Sequence, residues 1–258
     1  MNSGDDTAFY LSKGYSVVAI EAIPELVASA HKRFRKAIQT GKLVILNVAI
    51  AEKAGKRDFW VCEQISAWSS FDKTIAGREG SKCRRIKVKT RRFRDILGKF
   101  GTPCYLKIDI EGADGFCLAD LDNDNLPTFI SVETECGERD VPLTARRYLA
   151  TLNQLRELGY SRFKLVNQNT LVPVSRSNLN RVVDPRYLAS ARAETERKSK
   201  WSFPLGASGP WGNGIIGPWM DFAEALDVYC TCRELLFRKW NEPWYSFWFD
   251  WHATRPGL

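Results

Sequence analysis

The stretch "NSGDDTAFYLSKGYSVVAIEA", Asn2 to Ala22, decides the fold class of this 258-residue chain. It contains a glycine turn at Gly4, a short helix expected to start at Thr7, and an apolar run of β-forming residues that stops at Glu21. A loop, a helix and a strand that ends in an acid follow in this order where a doubly wound sheet passes from its first strand to its second. Only Met1 precedes the stretch, so the strand that should carry this loop is not in the sequence.

Strands and helices continue to alternate after this stretch. Pro24 opens a helix with one apolar face that should end at Gly41, and an apolar strand over residues 42–51 follows it. The later expected elements are a β-rich excursion over 53–90, a helix over 93–100, strands within 103–114, 127–135 and 161–169, and a helix over 144–160. Short connections between such elements predict an α/β fold with a mainly parallel sheet.

Composition narrows the class of protein. Apolar residues make up 44% and charged residues 26% of the chain, as in ordinary globular proteins. No stretch approaches the roughly 20 uncharged apolar residues of a membrane span, and no secretory signal is visible. Seven scattered cysteines, several of them inside apolar runs, indicate reduced thiols and a cytoplasmic location.

The chain carries an excess of positive charge, with 38 Lys and Arg against 30 Asp and Glu. Much of it lies in Lys82–Arg94 and Arg192–Lys200. A basic surface favours anionic partners, including nucleic acid. However, Lys82–Arg94 alternates basic and apolar residues, which predicts a half-exposed strand with a solvated basic face. Nucleic-acid binding is therefore the less favoured reading.

Polar side chains follow four successive predicted strands. These side chains are Glu21, Asn47 in the segment 47–49, Asp109 and Glu111 in the segment 109–111, and Glu133. Ligands of such sheets bind outside the carboxyl ends of the strands, so these residues are candidates for one site.

Taken in order, several segments resemble the FkbM-type S-adenosylmethionine-dependent methyltransferases. They are "NSGDDTAFYLSKGYSVVAIEAIPELV", "LVILNVAIAEKAGKRDFWV", "SSF", "FRDIL" and "YLKIDIEGAD", and the resemblance covers about residues 1–165. It implies a Rossmann-like class I methyltransferase sheet with a reversed last strand, here apparently lacking its first strand. It also implies S-adenosyl-L-methionine as cofactor and, most often, O-methylation of small molecules or sugars.

The resemblance assigns a set of cofactor contacts. Gly4 matches the last glycine of the family's D-x-G-x-x-x-G loop, and Glu21 is expected to bind the ribose diol. The full set of expected cofactor contacts is Asn2, Gly4, Asp5, Thr7, Glu21, Ala22, Asn47, Ala49, Ser70 and Asp109. Asp5, Asp6 and Thr7 are also expected to cap the first helix, and a plain capped turn is the alternative reading. Asn47 to Ala49 would meet adenine, and Ser69 to Phe71 would close over it.

The predicted catalytic residues are Asp109, Glu111 and His252. Asp109 and Glu111 alternate with Lys107 along the predicted strand and should point into the methyl-transfer cleft. There they would orient a substrate hydroxyl or balance the sulfonium charge. The alternatives are a structural ion pair with Lys107 and, less favoured, a divalent metal held with Glu133, so no metal is assigned. His252, two residues after Asp250, is a candidate general base, although a histidine packed among aromatic residues is slightly preferred.

Residues 169–258 form a predicted C-terminal extension after a methyltransferase domain over 1–168. Six of the nine tryptophans follow Pro210, which favours a folded element. It is either a lid over the substrate or an aromatic seam that packs on the sheet or on a second copy of the chain. Cys230 and Cys232 make a lone C-x-C, so a zinc site is not expected.

The resulting interpretation is a methyltransferase that acts on a hydroxyl of a small molecule or a sugar or glycan precursor. One alternative is a catalytically silent binding protein that keeps the fold, and a second is a nucleic-acid methyltransferase. A nicotinamide dehydrogenase is disfavoured, because no G-x-G-x-x-G precedes Glu21. We further expect either a start site assigned too late or a shortened relative, because Met1 falls inside the glycine motif.

Overall fold

The computed structural model describes residues 1–134, 148–182, 184–239 and 248–255, which form two compact units. The first unit contains residues 1–102 and 109–125, and the second contains residues 103–108 and the described residues from 126 onward. This division differs from the expected boundary after residue 168, which stays a prediction. Among the described residues, no helix has the length and apolar character needed to cross a membrane.

The first unit begins with a small parallel sheet. In chain order its elements are α1 (Asp5–Ser12), β1 (Val17–Glu21), α2 (Pro24–Arg33), α3 (Arg35–Gln39) and β2 (Leu43–Asn47). Strands β1 and β2 pair in parallel, with Glu21 opposite Asn47. The single helix expected between Pro24 and Gly41 is wrong, because Phe34 (φ −109°, ψ 22°) breaks it. The Phe34 ring is buried with Ala19 and Leu43, and this packing overrides helix propensity.

The β-rich excursion forms a second sheet of the same unit, in the order β3-β5-β4. Its elements and the helices around it are β3 (Ala49–Ile50), β4 (Gly55–Cys62), α4 (Lys73–Ala76), β5 (Cys83–Arg91), α5 (Phe93–Phe100) and α6 (Asp114–Ala119), with 3-10 turns at Ser66–Trp68 and Arg78–Gly80. The predicted basic face of β5 is confirmed, since Lys87 and Lys89 are exposed while Val88 between them is buried.

The second unit is built on a five-stranded sheet of order β6-β7-β10-β8-β9. Its elements are β6 (Tyr105–Ile108), β7 (Phe129–Glu133), α7 (Ala150–Glu157), β8 (Arg162–Asn167), β9 (Val172–Val174), α8 (Leu179–Val182), α9 (Pro185–Ser199), α10 (Phe222–Lys239) and β10 (Phe249–Thr254), with a 3-10 turn at Gly212–Gly214. Only β6 and β7 pair in parallel, so this sheet is less parallel than expected. Strand β10 was not predicted, and residues 144–147 of the expected helix lie outside the described residues.

The two faces of this sheet differ in polarity. Ile130, Leu165 and Trp251 are fully buried on one face, while their neighbours Ser131, Lys164 and His252 point to the other. The segment after α9 covers this polar face. Lys164 Nζ donates a 2.6 Å hydrogen bond to the carbonyl oxygen of Ile215, and the rings of Trp211 and Tyr105 stack at 4.7 Å. The tryptophan-rich segment is thus part of the unit's packing.

Candidate active site

The turn around Gly4 has a backbone conformation that other residues adopt only with strain. Gly4 has a φ of 82°, and a Cβ on it would lie 2.7 Å from a ring carbon of Phe34. Helix α1 begins at Asp5 instead of the expected Thr7, with Gly4 as its N-cap and no side-chain cap. The expected capping by Asp5, Asp6 and Thr7 is therefore wrong, because the residue in the cap position has no side chain.

Glu21 ends β1 and accepts hydrogen bonds from the backbone around it. The N–H of Asn2 lies 2.8 Å from Oε2, and the N–H of Ile23 lies 2.9 Å from Oε1. The ammonium group of Met1 lies 3.4 Å from Oε2, and the Glu21 side chain is 9% exposed. The structure therefore brings Asn2 and Glu21 together, although 19 positions separate them in the sequence.

Asn47 fixes the ends of the two parallel strands to each other. Its Nδ2 donates to the carbonyl oxygens of Glu21 at 3.0 Å and of Ala22 at 3.2 Å. Ala22 and Asn47 also border a cavity of about 230 Å³, together with Lys56, Lys87 and Lys89. These contacts hold the backbone after Glu21 in place.

Three other expected cofactor contacts have structural partners. Asp5 accepts from Ser3 Oγ at 2.6 Å and from Arg33 at 2.9 Å. Partial burial raises the pKa of Asp5, but these two bonds outweigh it and lower that pKa below its usual value. Thr7 is buried on α1, and Ala49 is buried in an apolar cluster of the first unit. Their cofactor contacts stay predictions.

Glu111 lies in a loop with an uncommon backbone, not on the strand expected to carry it. Strand β6 ends at Ile108, and Glu111 has a φ of 51°, which only a few per cent of non-glycine residues show. Gly112 follows with a φ of 86°. The expected alternation of Lys107, Asp109 and Glu111 along one strand is therefore wrong. Ser70 supports the loop, since its buried hydroxyl donates to the Glu111 carbonyl oxygen at 2.7 Å.

The carboxylate of Glu111 forms a two-point ion pair with Arg78. The distances from Arg78 Nη1 and Nη2 to the two carboxylate oxygens are 3.0 and 3.1 Å. The guanidinium lies over the Trp68 ring, 4.5 Å from its centre. Stacking and the forked geometry fix the direction of the carboxylate.

Glu111 titrates near neutral pH. Burial raises its pKa, Arg78 opposes this rise, the carboxylates of Asp109 and Asp114 add to it, and the net pKa is about 7. Asp109 itself is exposed. A carboxylate with such a pKa suits proton transfer at neutral pH better than an ordinary glutamate does.

A cavity of about 440 Å³ lies next to this loop within the first unit. Ser70, Gly112 and Ala113 border it, as do Arg57 of β4 and Lys73 of α4. Its volume lies in the range of small-molecule sites.

His252 belongs to the second unit and lies in the middle of β10. It is 1% exposed, opposite Ser131 on β7 and Lys164 on β8. Within the described part of the chain its Nε2 has no hydrogen-bond partner. Burial, together with the positive charges of Lys107 and Lys164, lowers its pKa to about 3. Its catalytic role stays a prediction, and at neutral pH the imidazole is uncharged.

Sequence reasoning missed Arg78, Arg57 and Lys73. Arg78 is 33 positions from Glu111 in the sequence, and nothing in "GREGSK" distinguishes it from other basic residues. Arg57 and Lys73 lie in the excursion, where they read as ordinary surface charges. Only the segment "SSF" was expected to contact a ligand in this part of the chain.

Comparison with known proteins identifies the family. The model of the methyltransferase FkbM domain matches residues 1–161, so the chain belongs to the FkbM methyltransferase family. No curated protein and no solved structure matches the chain.

Proposed function

We propose that the chain transfers a methyl group from S-adenosylmethionine to a hydroxyl group of a small molecule or of a sugar or glycan precursor. The observation that carries the proposal is Glu111. It is a largely buried carboxylate with a pKa of about 7, held by Arg78, in a loop whose next residues border a cavity of ligand size. An alcohol must lose its proton on methylation, and a carboxylate that titrates near neutral pH can accept it.

The donors and acceptors at the ends of β1 and β2 fit the cofactor. Each Glu21 oxygen accepts one backbone N–H, and a carboxylate oxygen has two acceptor sites. Glu21 can thus bind the two hydroxyls of a ribose, while Asn47 holds the adjoining backbone and Gly4 the turn. The cofactor supplies a methyl group that its sulfonium already activates.

In this mechanism, the chain's own residues orient the acceptor and remove its proton. Glu111 accepts the proton from the acceptor hydroxyl, and Arg78 keeps the carboxylate in place before and after the transfer. Asp109, exposed in the same loop, is proposed to face the cofactor. Alignment of nucleophile and methyl group accounts for most of the remaining acceleration.

The proposed sheet is Rossmann-like. The parallel pairing of β1 with β2 and the antiparallel last strand β10 support it. Residues 1–4 contain no strand, so a first strand before α1 is not among the described residues. We also propose a cytoplasmic location, which the free thiols of Cys62, Cys117 and Cys232 support. Association of two copies through the C-terminal aromatic region stays a prediction.

Calorimetric titration of the whole chain with S-adenosylmethionine tests the proposal. We expect binding by the wild-type chain and a loss of about tenfold or more in affinity for Glu21→Gln, because one acceptor of the diol becomes a donor. Glu52→Gln, an exposed acid of the same unit, is the matched control.

Glu21→Asp keeps the carboxylate and serves as a second variant if thermal unfolding shows that Glu21→Gln does not fold. Absence of cofactor binding by the wild-type chain would contradict the enzyme proposal. It would favour the catalytically silent alternative, in which the contacts of Glu21 with Asn2 and Ile23 are structural.

A further inference from the structure

The cavity of about 440 Å³ has a wall that is both basic and apolar. Arg57 and Lys73 contribute the positive charges, and Phe71, Ile75 and Phe116 contribute the apolar surface. Sites for small ligands combine apolar walls with a few polar groups in this way. The volume lies near the lower end of their range, which favours one ring-sized ligand.

Each of the two cations is supported by an aromatic ring. The Arg57 guanidinium lies 4.6 Å from the centre of the Phe71 ring, and Lys73 Nζ lies 5.1 Å from the centre of the Trp60 ring. These cation–π contacts restrict both side chains, and the stacked guanidinium of Arg57 keeps its in-plane N–H donors available.

Neither cation has a carboxylate partner among the described residues. Within the described ranges, Arg57 and Lys73 make no ion pair or side-chain hydrogen bond, whereas Arg78 and Lys87 of the same unit pair with Glu111 and Asp58. The N–H groups of Arg57 and Lys73 are therefore available as hydrogen-bond donors at the cavity.

The acidic residue of the wall, Asp72, is held by Thr74 and makes no ion pair with either cation in the described part of the chain. The Asp72 carboxylate accepts hydrogen bonds of 2.7 Å from both the N–H and the hydroxyl of Thr74. These bonds hold the pKa of Asp72 below its usual value. The wall thus has one hydrogen-bonded anion and two cations that form no ion pair with any described residue, so its net charge is positive.

We propose that this cavity binds the methyl acceptor, and that the acceptor is a monosaccharide-sized ring with one carboxylate or phosphate group. Its anionic group pairs with Arg57 and Lys73, and its ring lies against Phe71 and Phe116. Ser70 and Gly112 border the cavity, and Ser70 also donates to the backbone carbonyl oxygen of Glu111, so the acceptor lies next to the loop that carries the proposed base. The assignment of the ligand as acceptor rests on the proposed methyltransferase function.

Ligand-observed NMR with glucose, glucuronate and glucose 6-phosphate tests the proposal, because the three sugars differ only at carbon 6. We expect at least one charged sugar to bind about tenfold or more tightly than glucose, as charge-assisted hydrogen bonds require. The double variant Arg57→Gln/Lys73→Gln should lose this preference. Lys56→Gln/Lys89→Gln, which removes two exposed lysines bordering the other cavity, should keep it.

Equal binding of the three sugars, binding of none, or a preference that survives in the Arg57→Gln/Lys73→Gln variant would overturn the proposal. Titration with S-adenosylmethionine separates this result from the proposed function. A chain that binds the cofactor and no charged sugar would refute the acceptor class alone. A chain that binds a charged sugar but no cofactor would refute the methyltransferase and leave the anion site standing.

Discussion

Glu111 and His252 are both withdrawn from water, and burial shifts the pKa of each towards its neutral form. Their surroundings differ in the sign of the nearest charges. Glu111 is paired with the guanidinium of Arg78, whereas the lysines at positions 107 and 164 oppose a charge on His252. The result is a pKa of about 7 for Glu111 and about 3 for His252.

The contrast shows that burial alone does not make a catalytic group. A buried carboxylate with a counter-charge exchanges protons near pH 7, where proton transfer is useful. A buried imidazole among cations stays neutral near pH 7. We therefore propose Glu111, in preference to His252, as the general base.

The largest expected effect is on the pH dependence of the unfolding free energy when His252 is replaced. Because folding lowers its pKa, its contribution is present above about pH 6.5, the ordinary value, and is lost as the pH falls towards 3. Over that window the wild-type chain should lose on the order of 5 kcal/mol of unfolding free energy more than His252→Gln. Urea unfolding at several pH values measures this, with Asp250, Lys107 and Lys164 left unchanged.

His31→Gln is the control for that series, because His31 is an exposed histidine on α2. Its stability should follow that of the wild-type chain at every pH. If the unfolding free energies of the wild-type chain and of His252→Gln changed in parallel with pH, the lowered pKa of His252 would be contradicted. The contrast with Glu111 would then be lost.

The next effect is a gain in stability for Glu111→Gln at high pH. The pKa of Glu111 is raised in the folded chain, so its stabilising contribution is present below about pH 4.5 and is lost as the pH rises through 7. At pH 8 the variant should be more stable than the wild-type chain by on the order of 3 kcal/mol, and the two should converge near pH 4. Glu63 is an exposed acid, and Glu63→Gln should show no such divergence from the wild-type chain. A divergence in this control variant would contradict the prediction.

Glu111→Gln should also remove the proposed general base. We expect Glu111→Gln to lower the rate of methyl transfer by about 100-fold or more, with cofactor affinity unchanged. Rapid-quench measurement with a charged sugar that binds the wild-type chain gives the rate, and calorimetry gives the affinity. A rate within a few-fold of wild type would assign the base to another residue.

The smallest effect concerns Arg78. In Arg78→Gln the opposing charge is lost, so the pKa of Glu111 should rise further and the pH–rate profile should move upward by about one pH unit. Arg84→Gln removes an exposed arginine that pairs with Glu25, and should leave the profile in place. A loss of rate with no shift of the profile would make Arg78 a structural residue only.

The sequence predicted local features better than the contacts between distant segments. The turn at Gly4, strand β1 and the alternating basic face of β5 each follow from neighbouring residues, whereas the hydrogen bond from Asn2 to Glu21 joins positions 19 apart and was not predicted. The break at Phe34 could not be predicted, because burial of one ring decides it. The positive φ of Glu111 and its pairing with Arg78 depend on tertiary contacts for which residues 78 and 111 contain no local signal.

The position of strand β10 in the sheet could not be predicted from the sequence either. Its residues, "FDWHAT", alternate apolar and polar side chains, which is a strand signal that the sequence reading did not use, although all six residues are buried in the folded chain. The aromatic composition was visible, but its place between β7 and β8 is a property of the completed sheet.

Among the described residues, β1 and β2 pair only with each other, and this has a consequence for amide hydrogen exchange. A two-stranded sheet has little cooperative stability of its own, so its backbone should open locally more often than the interior strand β10 of the five-stranded sheet. Each opening separates Glu21 from Asn47 and dissolves the proposed ribose site while the rest of the chain stays folded. Ligand that binds there should slow exchange in β1 and β2 first, so that the exchange rate of these few amides reports occupancy of the site.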